Sequence, residues 1–275
     1  MRAGKAILDA QSGGTGSQPV LQVAENYRRS PEHRAINWAI REGRIGKLRM
    51  IFWVDVGERL WYWGWRDEKD IAGGGWALDG GVHFADLFRY HVGEVGKVAA
   101  ISRAYQPIRY RKQEALEDPV QATVEDTIVA LLWFENGVTG QWTTTSAAPA
   151  RGFNQRVLYG EKGAIDFGAG LFMGKEQIPL EQLVKEYLAA ASAAEKERWF
   201  PRGVTDTVAT ELHEFFQAVL GRGTLEMTGL EGYKDQAISE ALYESNALGR
   251  PVEIRQIESL EVEEYQGELN KQVGL

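Results

Sequence analysis

Apolar residues recur along this chain with two periods, and each period predicts a kind of element. Between positions 81 and 90, Val82, Ala85 and Phe88 together with Phe84 and Leu87 fall on one face of a helix, and the glycines just before them let the backbone turn into it. The helical period also predicts a short helix over 2–10 and a second from Pro31 to Glu42, with Ser30 as its cap, proline at its first position and Gly43 closing it. Further on, 181–199 is alanine-rich and amphipathic, and 207–220 carries Leu212, Phe215, Phe216 and Val219 on one side. Thr228 with Glu231 forms a capping box that opens a helix to Leu248.

Alternation of period two predicts strands over 20–23, 47–56, 97–105, 125–134, 138–146, 156–159 and 164–167. In the 47–56 strand Leu48, Met50, Phe52 and Val54 alternate with Arg49, Ile51, Trp53 and Asp55, so its second face is only partly polar. Glu135-Asn136-Gly137 and Glu161-Lys162-Gly163 join neighbouring strands as hairpins. The expected fold class is α+β: a large, mostly antiparallel open sheet covered by helices on one face. The other face, with Trp133, Trp142 and Thr144 contributing to it, is left for a partner.

Composition narrows the function classes. A chain of 275 residues with 44% hydrophobic and 25% charged content suits one large globular domain. Its net charge of -8 argues against nucleic acid or an anionic membrane as partner. No apolar run approaches the roughly 20 residues of a membrane span, and the first residues lack a signal-peptide core, so a cytoplasmic location is expected. The absence of cysteine excludes disulfides, thiolate metal sites and a cysteine nucleophile. Gly13-Gly14-Thr15-Gly16 is followed by Ser17-Gln18-Pro19 and a strand, whereas a dinucleotide fingerprint follows a strand and opens a helix; it reads as a linker.

The chemistry concentrates at 73–90. Asp79 stands at the mouth of the central helix, and His83 and Asp86 follow one turn in, so that a carboxylate and an imidazole share one face and can move protons. The plainer alternative is an N-capping aspartate beside a core histidine. The loop over 58–66 gathers Trp61, Tyr62, Trp63 and Trp65, which suit stacking on sugar faces and equally suit a lid or a dimer contact. His33 and His91 read as surface residues, and His213 as a solvated or second-layer histidine. Glu25, Asp79, His83 and His213 make up a weak N/O set for zinc or manganese, without the spacing of a His-x-x-x-His pair.

Four runs, VAENYRRSP (23–31), GGGWALDGGVHFADLFRY (73–90), VEDTIVALLWFENGVTGQ (124–141) and GLEGYKDQAISEALYESNALGRPVEI (229–254), together resemble the Gfo/Idh/MocA family of sugar and polyol oxidoreductases. The resemblance implies that Asp79 and His83 match the Asp and His that deprotonate and orient a sugar hydroxyl. It implies that Glu25, Asn26 and Tyr27 lie near a cleft between two domains, as substrate contacts alongside Trp63, Trp65, Arg66 and Asp86. It also implies dimerisation through the sheet. Family members begin with a nucleotide-binding domain carrying Gly-x-Gly-x-x-Gly and Glu-Lys-Pro motifs, neither of which is in this sequence. Residues 1–28 are therefore expected to be a remnant of that Rossmann-type domain, and 29–275 the substrate and oligomerisation domain. From this follows the expectation of a carbohydrate-active hydrolase or lyase, using His/Asp acid-base chemistry with a divalent metal in support and no nicotinamide. Two alternatives stand beside it: the substrate domain or a fragment of an NAD(P)-dependent sugar dehydrogenase completed by another chain, and a non-catalytic sugar-binding module.

Overall fold

The computed structural model describes residues 1–12 and 19–275; the glycine-rich run at 13–16 lies outside them. The strands are β1 (Leu48–Val56), β2 (Val95–Arg103), β3 (Ile108–Lys112), β4 (Glu117–Gln121), β5 (Thr127–Phe134), β6 (Thr139–Thr145), β7 (Phe153–Gly160), β8 (Ala164–Asp166), β9 (Gly170–Met173), β10 (Glu176–Pro179) and β11 (Val252–Glu253). The helices are α1 (Arg2–Ser12), α2 (Pro31–Arg41), α3 (Lys69–Ala72), α4 (Trp76–Asp79), α5 (Gly81–His91), α6 (Leu180–Ala190), α7 (Ala193–Trp199), α8 (Thr207–Val219), α9 (Gly229–Leu248), α10 (Ile254–Glu258) and α11 (Gln266–Gln272).

Nine strands make one sheet in the order β10-β9-β8-β7-β1-β6-β5-β2-β11, while β3 and β4 form a separate ribbon. All neighbours in the large sheet are antiparallel except β1 and β6, which run parallel. The sheet is thus mixed and mostly antiparallel, with a single parallel pair. Strand β1 enters from α2 and inserts between β6 and β7, with Trp53 opposite Trp142 on one side and Arg156 on the other.

Helix α5 lies on the sheet because its apolar stripe meets the large residues of β1 and β6. Trp53 packs edge-on to Phe88 at 5.4 Å, and Phe88 to Trp142 at 5.3 Å. Burial of each such side chain contributes about 1.5–3 kcal/mol. Helix α9 covers β2 and accepts from its backbone, Ala100 N donating to Ser245 Oγ and Ser102 N to Asn246 Oδ1, both at 3.0 Å.

The alternation fits the strands, and in β1 Ile51 and Trp53 lie under the helices while Met50 is on the open face. Trp142 and Thr144 are also on the covered face, at 0% and 8% exposure, whereas Trp133 opposes Thr139 on the open one. Both faces of these strands are apolar, so hydrophobicity alone does not choose between them; the bulky Trp53 and Trp142 go where α5 closes over them. The open face exposes Met50, Ile101, Val129 and Leu131.

Helix α8 turns Leu212, Phe216 and Val219 outward instead of onto the sheet. The helix expected over 181–199 is two helices, because Ser192 caps a new one by accepting from Glu195 N at 3.1 Å. The segment at 20–23 makes a single bridge between Gln22 and Thr228 in place of a full strand. No helix among the described residues is long and apolar enough to cross a membrane.

Candidate functional site

The glycines before Asp79 are needed for close approach. A side chain at Gly75 would run into Glu125 Oε1 at 2.6 Å, and one at Gly80 into the Trp76 ring. Glu125 instead accepts from Gly75 N and from the Tyr243 hydroxyl, each at 2.8 Å, and burial pushes its carboxyl upward in pKa. This anchors the short helix α4, which presents Trp76 and Asp79 to a cavity of about 450 Å³. The floor is formed by Asp55 and Thr144 near the ends of the parallel strands β1 and β6, by Ser146 just beyond β6, and by Asn154 and Arg156 of β7. Trp61, Trp63, Arg66 and Trp76 make the wall, with Trp63 stacked on Trp76 at 5.9 Å. Fully buried Asp67 fixes that loop by accepting from Trp63 N at 2.6 Å and from the Arg59 guanidinium.

Asp79 does not cap α5. The cap position belongs to Gly80, with no side-chain bond, and Asp79 Oδ1 accepts from Arg66 Nε at 3.1 Å. His83 precedes Phe84, which lines the cavity, but neither His83 nor its partner Glu25 is among the lining residues, and His83 makes no hydrogen bond to Asp79. Its Nδ1 meets Glu25 Oε2 at 2.5 Å, and its ring stacks on Tyr27 with centroids 4.3 Å apart. The Glu25 hydrogen bond raises the His83 pKa above the ordinary 6.5, with burial opposing it. One helical turn on, Arg28 grips Asp86 through both carboxylate oxygens. The two contacts form parallel rungs between the 25–28 segment and α5, and they fix the height of Glu25 against His83.

The structure separates the other expected residues from the cavity. Asp86 is fully buried on Arg28 and does not reach ligand. Asn26 donates to Thr207 Oγ1 at 3.1 Å, and Trp65 is about half exposed beneath the Arg66 guanidinium and lines nothing. His213 is exposed on α8, away from Glu25, and among the described residues no cluster of three or more His, Asp or Glu side chains is arranged to hold a metal. The set of His83, His213, Glu25 and Asp79 is corrected accordingly: Asp79 is committed to Arg66 and His213 faces solvent.

His33 and His91 are not surface residues. His33 Nδ1 lies 2.9 Å from His91 Nε2, and Phe167 packs against both rings. Reasoning from motifs missed Arg156, Asn154 and Asp55, because each sits in a strand with no local signature; only the sheet order brings them to one end.

The sheet and its cavity define an α/β domain with a small-molecule site. The chain belongs to the Gfo/Idh/MocA oxidoreductases: the profile of that family's C-terminal alpha/beta domain matches residues 38–254. It is 28% identical to levoglucosan dehydrogenase of Pseudarthrobacter phenanthrenivorans over 92% of this chain and 70% of that protein. It is 29% identical to 1,5-anhydro-D-fructose reductase of Ensifer adhaerens, over 86% of this chain but 64% of that protein. Among solved structures, levoglucosan dehydrogenase in complex with NADH and levoglucosan superposes with a TM-score of 0.69 at 26% identity, covering 93% of this chain and 70% of that one. These relatives are a sugar dehydrogenase and a sugar reductase, one of them holding NADH, which overturns the expectation of a hydrolase or lyase working without nicotinamide. The expected zinc or manganese finds no support either.

Proposed function

We propose that this chain supplies the substrate-binding and proton-transferring side of an NAD(P)-dependent oxidoreductase acting on a sugar or polyol. The observation that carries the reading is the tryptophan-walled cavity with Asp79 in its wall and the Glu25–His83 pair beside it, in a chain of an oxidoreductase family. A pyranose stacks its apolar C–H face on Trp63 and Trp76 and turns its hydroxyls to the polar floor. With His83 Nδ1 donating to Glu25, Nε2 is left to take the proton of the substrate hydroxyl, and Asp79 orients that hydroxyl by accepting a hydrogen bond.

Accepting a hydride is cofactor chemistry that no side chain supplies. A dinucleotide pyrophosphate is held by a strand, a glycine-rich turn and a helix N-terminus. The described residues contain no such unit and do not fit that part of the cofactor, which in this reading is held by another chain or domain. As part of the same reading, residues 1–28, with helix α1 and the bridging segment at 20–23, are what is left of a nucleotide-binding unit and 29–275 the substrate domain. Two copies pair through the open sheet face, whose exposed apolar residues favour a homodimer, and the protein works in the cytoplasm.

The test is turnover of a panel of sugars and polyols with NAD⁺ or NADP⁺ by the chain completed with a nucleotide-binding domain of the same family, against the same panel and model glycosides without nicotinamide. Nicotinamide-dependent oxidation is the expected result. Glycoside cleavage without nicotinamide, or no turnover of any compound, would overturn the reading.

A further inference from the structure

We propose that the cavity selects neutral carbohydrates over sugar acids, and that the Asp55–Arg156 ion pair sets this preference. The proposal rests on the reading of the cavity as the carbohydrate site. Three guanidinium groups line it, those of Arg59, Arg66 and Arg156. Arginine is the side chain best shaped to grip a carboxylate, so at first sight the cavity invites a uronic acid.

Each guanidinium is already committed. Arg59 forks onto buried Asp67. Arg66 donates Nε to Asp79, and its plane lies over Trp63 and Trp65, at 5.0 and 4.4 Å from the ring centroids. Arg156 donates both Nε and Nη2 to Asp55 Oδ1, at 3.0 and 2.8 Å, with its guanidinium 4.8 Å from the Trp53 ring centroid. His83, the next cation along, is tied to Glu25.

Against the three cations the lining sets four carboxyl groups, of Asp55, Asp79, Glu125 and Asp126. An incoming carboxylate has to displace one of these acids from its arginine or sit beside them as a like charge, and like-charge juxtaposition is a strong discriminator. A neutral ring meets neither obstacle. Asp55 Oδ2 is buried without a protein partner, so its negative charge at the floor is only partly compensated and repels an incoming carboxylate.

Of the three pairs, Asp55–Arg156 is the one that decides. Arg59 is locked by a fully buried partner, and Arg66 pairs with Asp79 of the proton-handling site, whereas the Arg156 pair at the floor, with Arg156 about one-third exposed, can be released without touching either. Replacing Asp55 with asparagine keeps the shape and releases Arg156 as an unpaired cation facing the ligand.

The experiment titrates the whole chain with methyl β-D-glucopyranoside and with methyl β-D-glucuronide, which differ only in a hydroxymethyl group against a carboxylate, reading tryptophan emission at neutral pH and low salt. The wild type should bind the glucoside at least about tenfold more tightly, Asp55→Asn should move that ratio at least about tenfold toward the glucuronide, and Arg156→Leu should not move it toward the acid. Equal or tighter binding of the glucuronide by the wild type overturns the proposal while leaving the carbohydrate reading in place. An unchanged ratio in folded Asp55→Asn overturns the role of this ion pair. Binding of neither compound removes the carbohydrate reading and the proposal with it.

Discussion

Two histidine sites lie on the same helix and behave in opposite ways. At the first turn of α5, His83 has a carboxylate partner, retains 26% exposure of its side chain, and is raised in pKa. At the last turn, His91 is buried against another histidine; burial, with Arg28 and Arg34 nearby, holds it well below the ordinary value, and His33 is held down to about 4 by burial and by Arg156 and Arg34. The residue type is the same, so the partner and the access to water decide whether an imidazole is a proton carrier or a neutral packing unit. Only the first is equipped to exchange a proton near neutral pH.

The largest effect that separates them is on rate. His83→Ala should lower the rate of nicotinamide-dependent sugar oxidation by about 10²–10⁴-fold, the usual contribution of a general acid or base, with little change in melting temperature. A variant that melts much lower, or that keeps its rate, would place His83 with His91 as packing.

Next is Glu25→Gln. While Glu25 raises His83, the base form appears only above pH 6.5, so activity should rise with pH along a limb that lies above that value. Glutamine should move the limb down, because the main cause of the raised value is removed. The plateau should fall by roughly 10–100-fold, the scale on which losing a carboxylate that orients an imidazole acts. A pH profile that does not move would show that Glu25 merely packs.

The third effect is on stability and concerns the buried pair. In the unfolded chain an imidazole gains its proton near pH 6.5, but in the fold His33 gains it only near 4. The unfolded state therefore binds more protons between those values, and the pair's contribution to stability is lost as pH falls from 6.5 towards 4. His83 has the reverse sign: its contribution is present below pH 6.5 and is lost as pH rises through its raised value. Asp86 and Asp235, pushed up by burial to about 6 and about 7, take protons in the fold over the same range and pull against His33, so the informative quantity is a difference. Relative to His33→Gln, the wild type should lose on the order of 1–2 kcal/mol between pH 6.5 and 4 in denaturant unfolding. A pH-independent difference would show that the pair is wet.

How much of this was legible in the sequence follows from the range of each interaction. Ser30-Pro31 accurately marked the start of α2, and Thr228 with Glu231 that of α9, because caps are local chemistry. The stretch over 73–90 could be singled out from the sequence as a place where polar residues meet a helix, since glycines, Asp79 and His83 are all within it. What His83 touches was not legible as a pair, because Glu25 lies 58 positions away and only the docking of the 25–28 segment on α5 joins them. His33 looked like a polar position at a helix start, and it is covered only because the turn carrying Phe167 folds over it. The face of β6 that carries Trp142 and Thr144 was read in reverse because the choice depends on which tryptophans α5 covers, not on alternation.

The smallest effect is also the one that divides the rival readings of Asp79. Were Asp79 the N-cap of α5, its oxygen would satisfy a backbone donor, and asparagine would do nearly as well in both stability and rate. The cap is Gly80 and the carboxylate is spent on Arg66, a pair whose side chains are 35% and 26% exposed. Exposed pairs of this kind are worth about 0–1 kcal/mol, so Asp79→Asn should shift the melting temperature by no more than about 2–4 °C. The same change removes a charge from the cavity wall beside the bound hydroxyl, so a rate loss well beyond tenfold is expected with the fold intact. A drop of many degrees would make Asp79 a structural residue of the α4–α5 junction. An unchanged rate would leave Glu25 and His83 as the whole of the proton-handling machinery, with Asp79 reduced to holding Arg66 against the tryptophans.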